Sequence, residues 1–113
     1  MQPTGRASRA EIVREVFARV ARGDSGAADR YEEDGVIQVP GHEVRGREAI
    51  RDFYQVTIDA MHPRPEVRDL RQVGDLIVVV VHVPHDEGVQ DAIDLFEVGD
   101  AGIRRLVIFP SEG

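Results

Sequence analysis

The sequence predicts an α+β fold, with helices packed on one face of an antiparallel sheet. Three observations predict it. Apolar residues recur at helical spacing in two stretches of the first half, near 8–22 and 47–61. From residue 67 onward, apolar runs of strand length replace them. Gly-Asp, Pro and Gly clusters separate those runs, as in a meander of hairpins. A chain of 113 residues is large enough for one core. Residues 1–113 are therefore read as a single domain, with 1–7 as a loose tail.

Ser8 and Glu11 form a capping-box pair, which opens the first helix. Ile12, Val13, Val16, Phe17 and Val20 give it an apolar stripe, and Gly23 stops it. Asp24 or Ser25 caps a second short helix running through Ala27, Ala28 and Tyr31. Glu32-Glu33-Asp34-Gly35 reads as a turn, and Val36 to Pro40 as a short strand whose Pro40 marks its end or an edge. Gly41 to Gly46 reads as a tight connection. A third helix spans about Arg47 to Met61, presenting Ile50, Phe53, Tyr54, Thr57 and Met61 inward. His62-Pro63-Arg64-Pro65 ends it, because proline disfavours the helical conformation of its predecessor.

Val67 to Val73 alternates as a strand, and Gly74-Asp75 signals a hairpin. Leu76 to Val83 is apolar almost throughout, consistent with a central strand covered on both faces. Pro84 to Gly88 reads as a loop, after which Val89 to Val98 returns antiparallel. Ile103 to Phe109 is the last strand.

Composition narrows the functional classes. The net charge is −7 and the basic residues are dispersed, which argues against nucleic acid and anionic membrane surfaces. All fourteen basic residues are Arg, so a Schiff-base lysine is excluded. No cysteine is present, which removes disulfides, thiolate metal sites and cysteine nucleophiles. No apolar run reaches membrane-span length and the first residues lack an apolar leader, so a soluble cytoplasmic protein is expected. The histidine spacings match no compact zinc motif, and neither a metal nor a cofactor is expected.

One residue departs from its surroundings. Alternation puts Ala92, Asp94, Phe96 and Val98 on one strand face. A carboxylate on that apolar face must be solvated, paired or protonated, since burying it bare is costly. It sits at a sheet edge, accepts backbone hydrogen bonds, or is a functional acid in an apolar pocket. His82 interrupts the apolar run on the phase of Val78 and Val80, across the hairpin from residues near 91–92. Diagonal neighbours are within reach of long side chains, so a His82–Asp94 acid–base pair is one expectation and a structural histidine the other. His42 reads as an exposed loop residue, and His62 and His85 as solvated turn residues.

The order Phe17…Gly23-Asp24…Tyr31-Glu32-Glu33-Asp34-Gly35, Gly46-Arg47-Glu48-Ala49-Ile50-Arg51-Asp52-Phe53-Tyr54, Asp94-Leu95-Phe96-Glu97-Val98…Gly102-Ile103 resembles the NTF2-like superfamily. Within it, the chain is most similar to SnoaL-like polyketide cyclases and ketosteroid isomerases, over about residues 8–109. The resemblance implies a cone: a curved antiparallel sheet wrapped around the helices, enclosing an apolar pocket. It also implies a homodimer formed through the outer sheet face. Asp94 falls where ketosteroid isomerases keep a hydrogen-bond-donating carboxylic acid, a well-known case of a carboxyl held neutral in an apolar site. Tyr31 and Tyr54 fall where some isomerases carry supporting tyrosines. The expected oxyanion-hole tyrosine is replaced by Val16, and the proton-abstracting Asp by Val39.

The expected function is thus acid–base chemistry, of isomerase, cyclase or lyase type, on a small apolar or polycyclic carbonyl compound. Asp94 and His82 are the expected catalytic pair. Tyr54, Tyr31, Val16, Phe17, Val39, Phe53, Val80 and Phe96 are expected to bind substrate. Two alternatives are a non-catalytic ligand-binding or dimerisation module and an epoxide-hydrolase-like site using Asp94 with an inward Arg71 or Arg105.

Overall fold

The computed structural model describes residues 8–111; the expected loose tail over 1–7 lies outside the described residues. Helix α1 spans Arg9–Ala21. Its capping box is formed: Ser8 Oγ accepts from the Glu11 amide at 3.1 Å, and Glu11 Oε1 accepts from the Ser8 amide at 2.9 Å. Val13, Val16, Phe17 and Val20 are its buried stripe, each contributing about 1.5–3 kcal/mol by burial. Asp24 caps a 3-10 turn over Ser25–Arg30 by accepting from the Gly26 amide at 2.7 Å. Tyr31 is not part of that helix: it opens the first strand.

Strand β1 spans Tyr31–Val39, β2 His42–Arg45, and helix α2 Arg47–Met61. Strands β3 (Glu66–Val73), β4 (Leu76–His85), β5 (Gly88–Gly99) and β6 (Gly102–Pro110) follow. The expected turn over Glu32 to Gly35 lies inside β1 as a bulge. From Tyr31 to Val36 the strand advances five residues while its neighbour β6 advances two, from Ile103 to Arg105. The expected connection over 41–46 contains β2, paired antiparallel with β1 from Val36↔Arg45 to Val39↔His42.

The sheet order is β2-β1-β6-β5-β4-β3. All neighbours are antiparallel except β1 and β6, which run parallel. The sheet is curved and unclosed, with the helices against its concave face. Ile77, Val79 and Val81 of β4 and Ala92, Phe96 and Val98 of β5 face that core. The other face of β4 is not covered among the described residues: Leu76, Val78 and Val80 are exposed, together with Ile93 of β5 and Phe109 of β6. Neither helix among the described residues is long and apolar enough to cross a membrane.

Candidate functional site

The helices do not fill the concave face completely. A cavity of about 430 Å³ remains between α1, α2 and strands β4–β6, within the usual size range of small-molecule sites. Its walls are apolar: Val16 and Phe17 from α1, Phe53 from α2, Val81 from β4, Phe96 from β5 and Leu106 from β6 are among them. Phe17 and Phe96 meet edge to face with centroids 5.7 Å apart, and Phe53 meets Tyr54 in the same way at 5.8 Å.

Asp94 lies on the inner wall of this cavity. Its strand is interior to the sheet, and the Asp94 backbone is paired with Val79 on one side and Ile108 on the other. The ladder therefore uses the nearby backbone donors, and none turns to the side chain. Asp94 is 5% exposed, and its buried Oδ1 has no hydrogen-bond partner among the described residues. Two of the explanations open from sequence, a sheet edge and a set of backbone donors, are thereby removed. Burial without compensation disfavours the anion and pushes the Asp94 carboxyl up to about 7. Neutral and ionised forms are then both populated near neutral pH.

Two tyrosines stand close enough to Asp94 to sense its charge. Tyr31 is fully buried at the start of β1, and Tyr54 faces the cavity from α2. Their hydroxyls are 2.7 Å apart. Tyr31 is fixed from three directions. Arg47 Nε donates to its carbonyl at 3.0 Å, its backbone pairs with Ile103, and the preceding Arg30 makes a two-point ion pair with Glu15 at 2.6 and 2.7 Å. Burial raises both phenols above the ordinary range, while the bond from Tyr31 acts the opposite way on Tyr54. One hydroxyl donates to the other, and either can be the donor; when Tyr31 donates, the Tyr54 O–H is left to donate into the cavity.

Truncating the pair tests their coupling. Tyr54→Phe and Tyr31→Phe should each cost about 1–3 kcal/mol, because each leaves the other hydroxyl buried and unmatched. The double variant should cost clearly less than the sum. Denaturant melts of the four proteins measure it, and strict additivity would contradict a coupled pair.

The other sequence-derived site residues are placed differently. His82 does not meet Asp94. Its register partner is Asp91, and His82 Nδ1 lies 2.6 Å from Asp91 Oδ1 on the outer side of the sheet. Asp94 is instead opposite Val79. Val80 shares the outward phase of His82, is 42% exposed and does not touch the cavity. Val39 is half-buried at the β1–β2 end and is not part of the cavity wall. Tyr31 stands behind Tyr54 rather than on the wall. Arg71 and Arg105 are exposed and neither lines the cavity, so an Asp–Arg–Asp arrangement around Asp94 is absent among the described residues. His85, expected to be a solvated turn residue, is half-buried on the cavity wall. The strand phase shared by Val81, Val83 and His85 is the signal that could have found it.

Solved structures share this architecture. An NTF2-like protein from Cytophaga hutchinsonii superposes with a TM-score of 0.84 at 14% identity, covering 96% of this chain and 95% of that one. A Sinorhizobium meliloti protein provisionally named a polyketide cyclase gives 0.80 at 20% identity, over 90% of this chain and 99% of that one. A Bacillus subtilis protein provisionally named an isomerase gives 0.75 at 18% identity, over 91% and 86%. At these identities the likeness shows the fold. No curated protein matches the chain. The SnoaL-like domain model matches residues 13–106. This chain therefore belongs to the SnoaL-like domain family and has the NTF2-like fold.

Proposed function

We propose that this protein is an acid–base enzyme of isomerase, cyclase or lyase type, acting on an apolar carbonyl or enol compound held in the cavity. The observation that carries the reading is the buried Asp94 carboxyl. It lacks a hydrogen-bond partner for Oδ1 among the described residues and lies on the wall of an unfilled apolar cavity that Tyr54 also lines. A fold that gains nothing structural from a buried acid, yet keeps space beside it, is best understood through chemistry on a bound molecule. The names carried by the Sinorhizobium and Bacillus proteins support the same class of reaction.

In this proposal, ionised Asp94 takes a proton from a carbon next to the substrate carbonyl. The electron pair of that C–H bond becomes the enolate double bond, and the carbonyl oxygen takes up the negative charge. The Tyr54 O–H donates to that oxygen, and Tyr31 supports Tyr54 from behind. Neutral Asp94 then returns the proton, to the same carbon or to another along the enolate. Because the carboxyl is poised at about 7, it can serve as base and then as acid in one cycle.

The test works whatever the natural substrate is. Bicyclic enolisable ketones such as tetralone and decalone are incubated with the protein in deuterated water, and exchange at the carbon beside the carbonyl is followed by NMR. Wild type should accelerate exchange, and Asp94→Asn should lose about 10²–10⁴ of that acceleration. Saturable binding with no acceleration would support the second reading, a ligand-binding module. That reading draws on the aliphatic Val16 standing on the wall where the resemblance implies an oxyanion-hole tyrosine.

A further inference from the structure

The cavity has a second polar end. At its inner end stand Asp94 and Tyr54; at the solvent-facing end stand His85 and Gln90. Gln90 is already engaged, since its Nε2 donates to the carbonyls of Asp91 and Ser111 at 2.8 and 3.0 Å. Thr57, midway, donates its hydroxyl to the Phe53 carbonyl at 2.9 Å. His85 is different. Its Nδ1 accepts the Glu87 amide at 3.2 Å. A backbone amide can only donate, so in this arrangement Nδ1 bears no proton and the neutral ring carries its proton on Nε2. Nε2 has no partner among the described residues.

The ring is also held and left uncovered. Two backbone bonds flank it: the Asp86 amide donates to the Met61 carbonyl and the Arg64 amide to the Pro84 carbonyl, both at 2.9 Å. These tie the end of α2 to the β4–β5 hairpin. The Asp86 carboxylate turns to His62 at 2.6 Å and towards Arg64, not to His85. Opposite His85 across the hairpin is Gly88, which has no side chain to cover the ring.

We propose that His85 is a specificity-determining residue, whose Nε2–H binds an acceptor oxygen at the far end of an elongated apolar ligand from the group that meets Asp94 and Tyr54. This rests on reading the cavity as a ligand site. The register pairs Val79↔Asp94 and His85↔Gly88 put the two polar ends six residues apart on β4. That is a contour of about 20 Å, shortened by sheet curvature and by the reach of the side chains. Between them the wall is almost wholly aliphatic and aromatic. The ligand class is therefore a long, apolar body with one oxygen function at each end. An acceptor placed beside His85 gains a directed hydrogen bond that a ligand lacking one forgoes.

The test uses two probes: acetylbiphenyl carrying a para 3-oxobutyl chain, and the same molecule with butyl in its place. They differ by one oxygen. Wild type should bind the oxobutyl probe about threefold to tenfold tighter. His85→Phe should abolish or reverse that preference, and His85→Gln, which keeps an N–H donor, should restore part of it. Asp94→Asn should leave the ratio unchanged while altering both affinities alike. In wild type the His85 Nε2 resonance should move with the oxobutyl probe and not with the butyl probe, a readout that holds even if a variant folds poorly. Equal wild-type affinities for the two probes, or a preference that survives His85→Phe, would overturn the role of His85 alone. Failure of both probes to bind would overturn the cavity reading and this inference with it.

Discussion

Asp94→Asn is expected to make the protein more stable at pH 8 and to destroy its chemistry in the same step. Burial holds the carboxyl at about 7 in the fold, against about 4 in an unfolded chain. Below about pH 4 the group is neutral in both states, and its contribution to stability is fully present. Between about pH 4 and 7 the unfolded chain ionises it while the fold keeps it neutral, so stability falls as pH rises. Above about 7 the loss is complete, and three pH units correspond to roughly 4 kcal/mol. An amide does not ionise, so the variant should be about 2–4 kcal/mol more stable than wild type at pH 8 and nearly equal to it at pH 4. The lower end allows for the extra unmatched N–H of Asn. Chemical denaturation at a series of pH values measures the difference. A stability gap that does not change between pH 4 and 8 would show that Asp94 is not held neutral by burial. Over the same range, wild-type base catalysis should rise through about pH 7 and the variant should show no such rise. Opposite effects on stability and turnover mark a residue kept at a cost to the fold.

Gly102→Ala is the second substitution with a large expected effect. Gly102 opens β6 with φ +134°, a conformation that side chains rarely adopt. A Cβ there would stand 2.7 Å from the Arg30 carbonyl oxygen, a backbone atom that cannot rotate away. Strain and displacement together should cost about 2–4 kcal/mol and lower the melting temperature by about 10 °C or more. Gly74→Ala is the control, because Gly74 also has positive φ, at +62°, but nothing lies within 4 Å of its added Cβ. It should lose only about 1 kcal/mol. The effect should also reach the site. Arg30 precedes Tyr31, so pushing its carbonyl aside shifts the hydroxyl that supports Tyr54. Equal melting temperatures for the two variants would remove the proposed clash.

Asp94 is legible in the sequence because β5 alternates cleanly: one acid among Ala92, Phe96 and Val98 identifies both its face and its anomaly. The same reasoning gives the wrong phase for β4. From Leu76 to Val83 nearly every residue is apolar, so alternation has no amplitude and does not say which face is inward. His82 and Val80 are expected in the pocket for that reason, whereas the pairing Val79↔Asp94 puts the other phase inside. That phase also places His85. Strand β1 reads too short because Glu32 to Gly35 has the composition of a turn, and only its pairing with β6 reveals a bulge in a continuing strand. Helix α1 is legible because its capping box, period and Gly23 agree, and α2 because its period agrees with the prolines that follow it. The contact between the Tyr31 and Tyr54 hydroxyls is not, since it depends on how β1 and α2 pack, and no local pattern encodes that.

The parallel pairing of β1 with β6 bears on how the protein folds. Residues 31–39 wait for partners at 102–110, so this seam closes a loop of about 70 residues. Every other strand pair is a short hairpin that can form as soon as it is made. On a ribosome, the β3–β4–β5 meander can assemble early, while β1, β2 and the helices have no sheet to join until β6 emerges. Closing that seam is the step of highest contact order and the natural rate-limiting event. Until it closes, the enclosure around Asp94 is incomplete; the burial that raises its carboxyl is completed last.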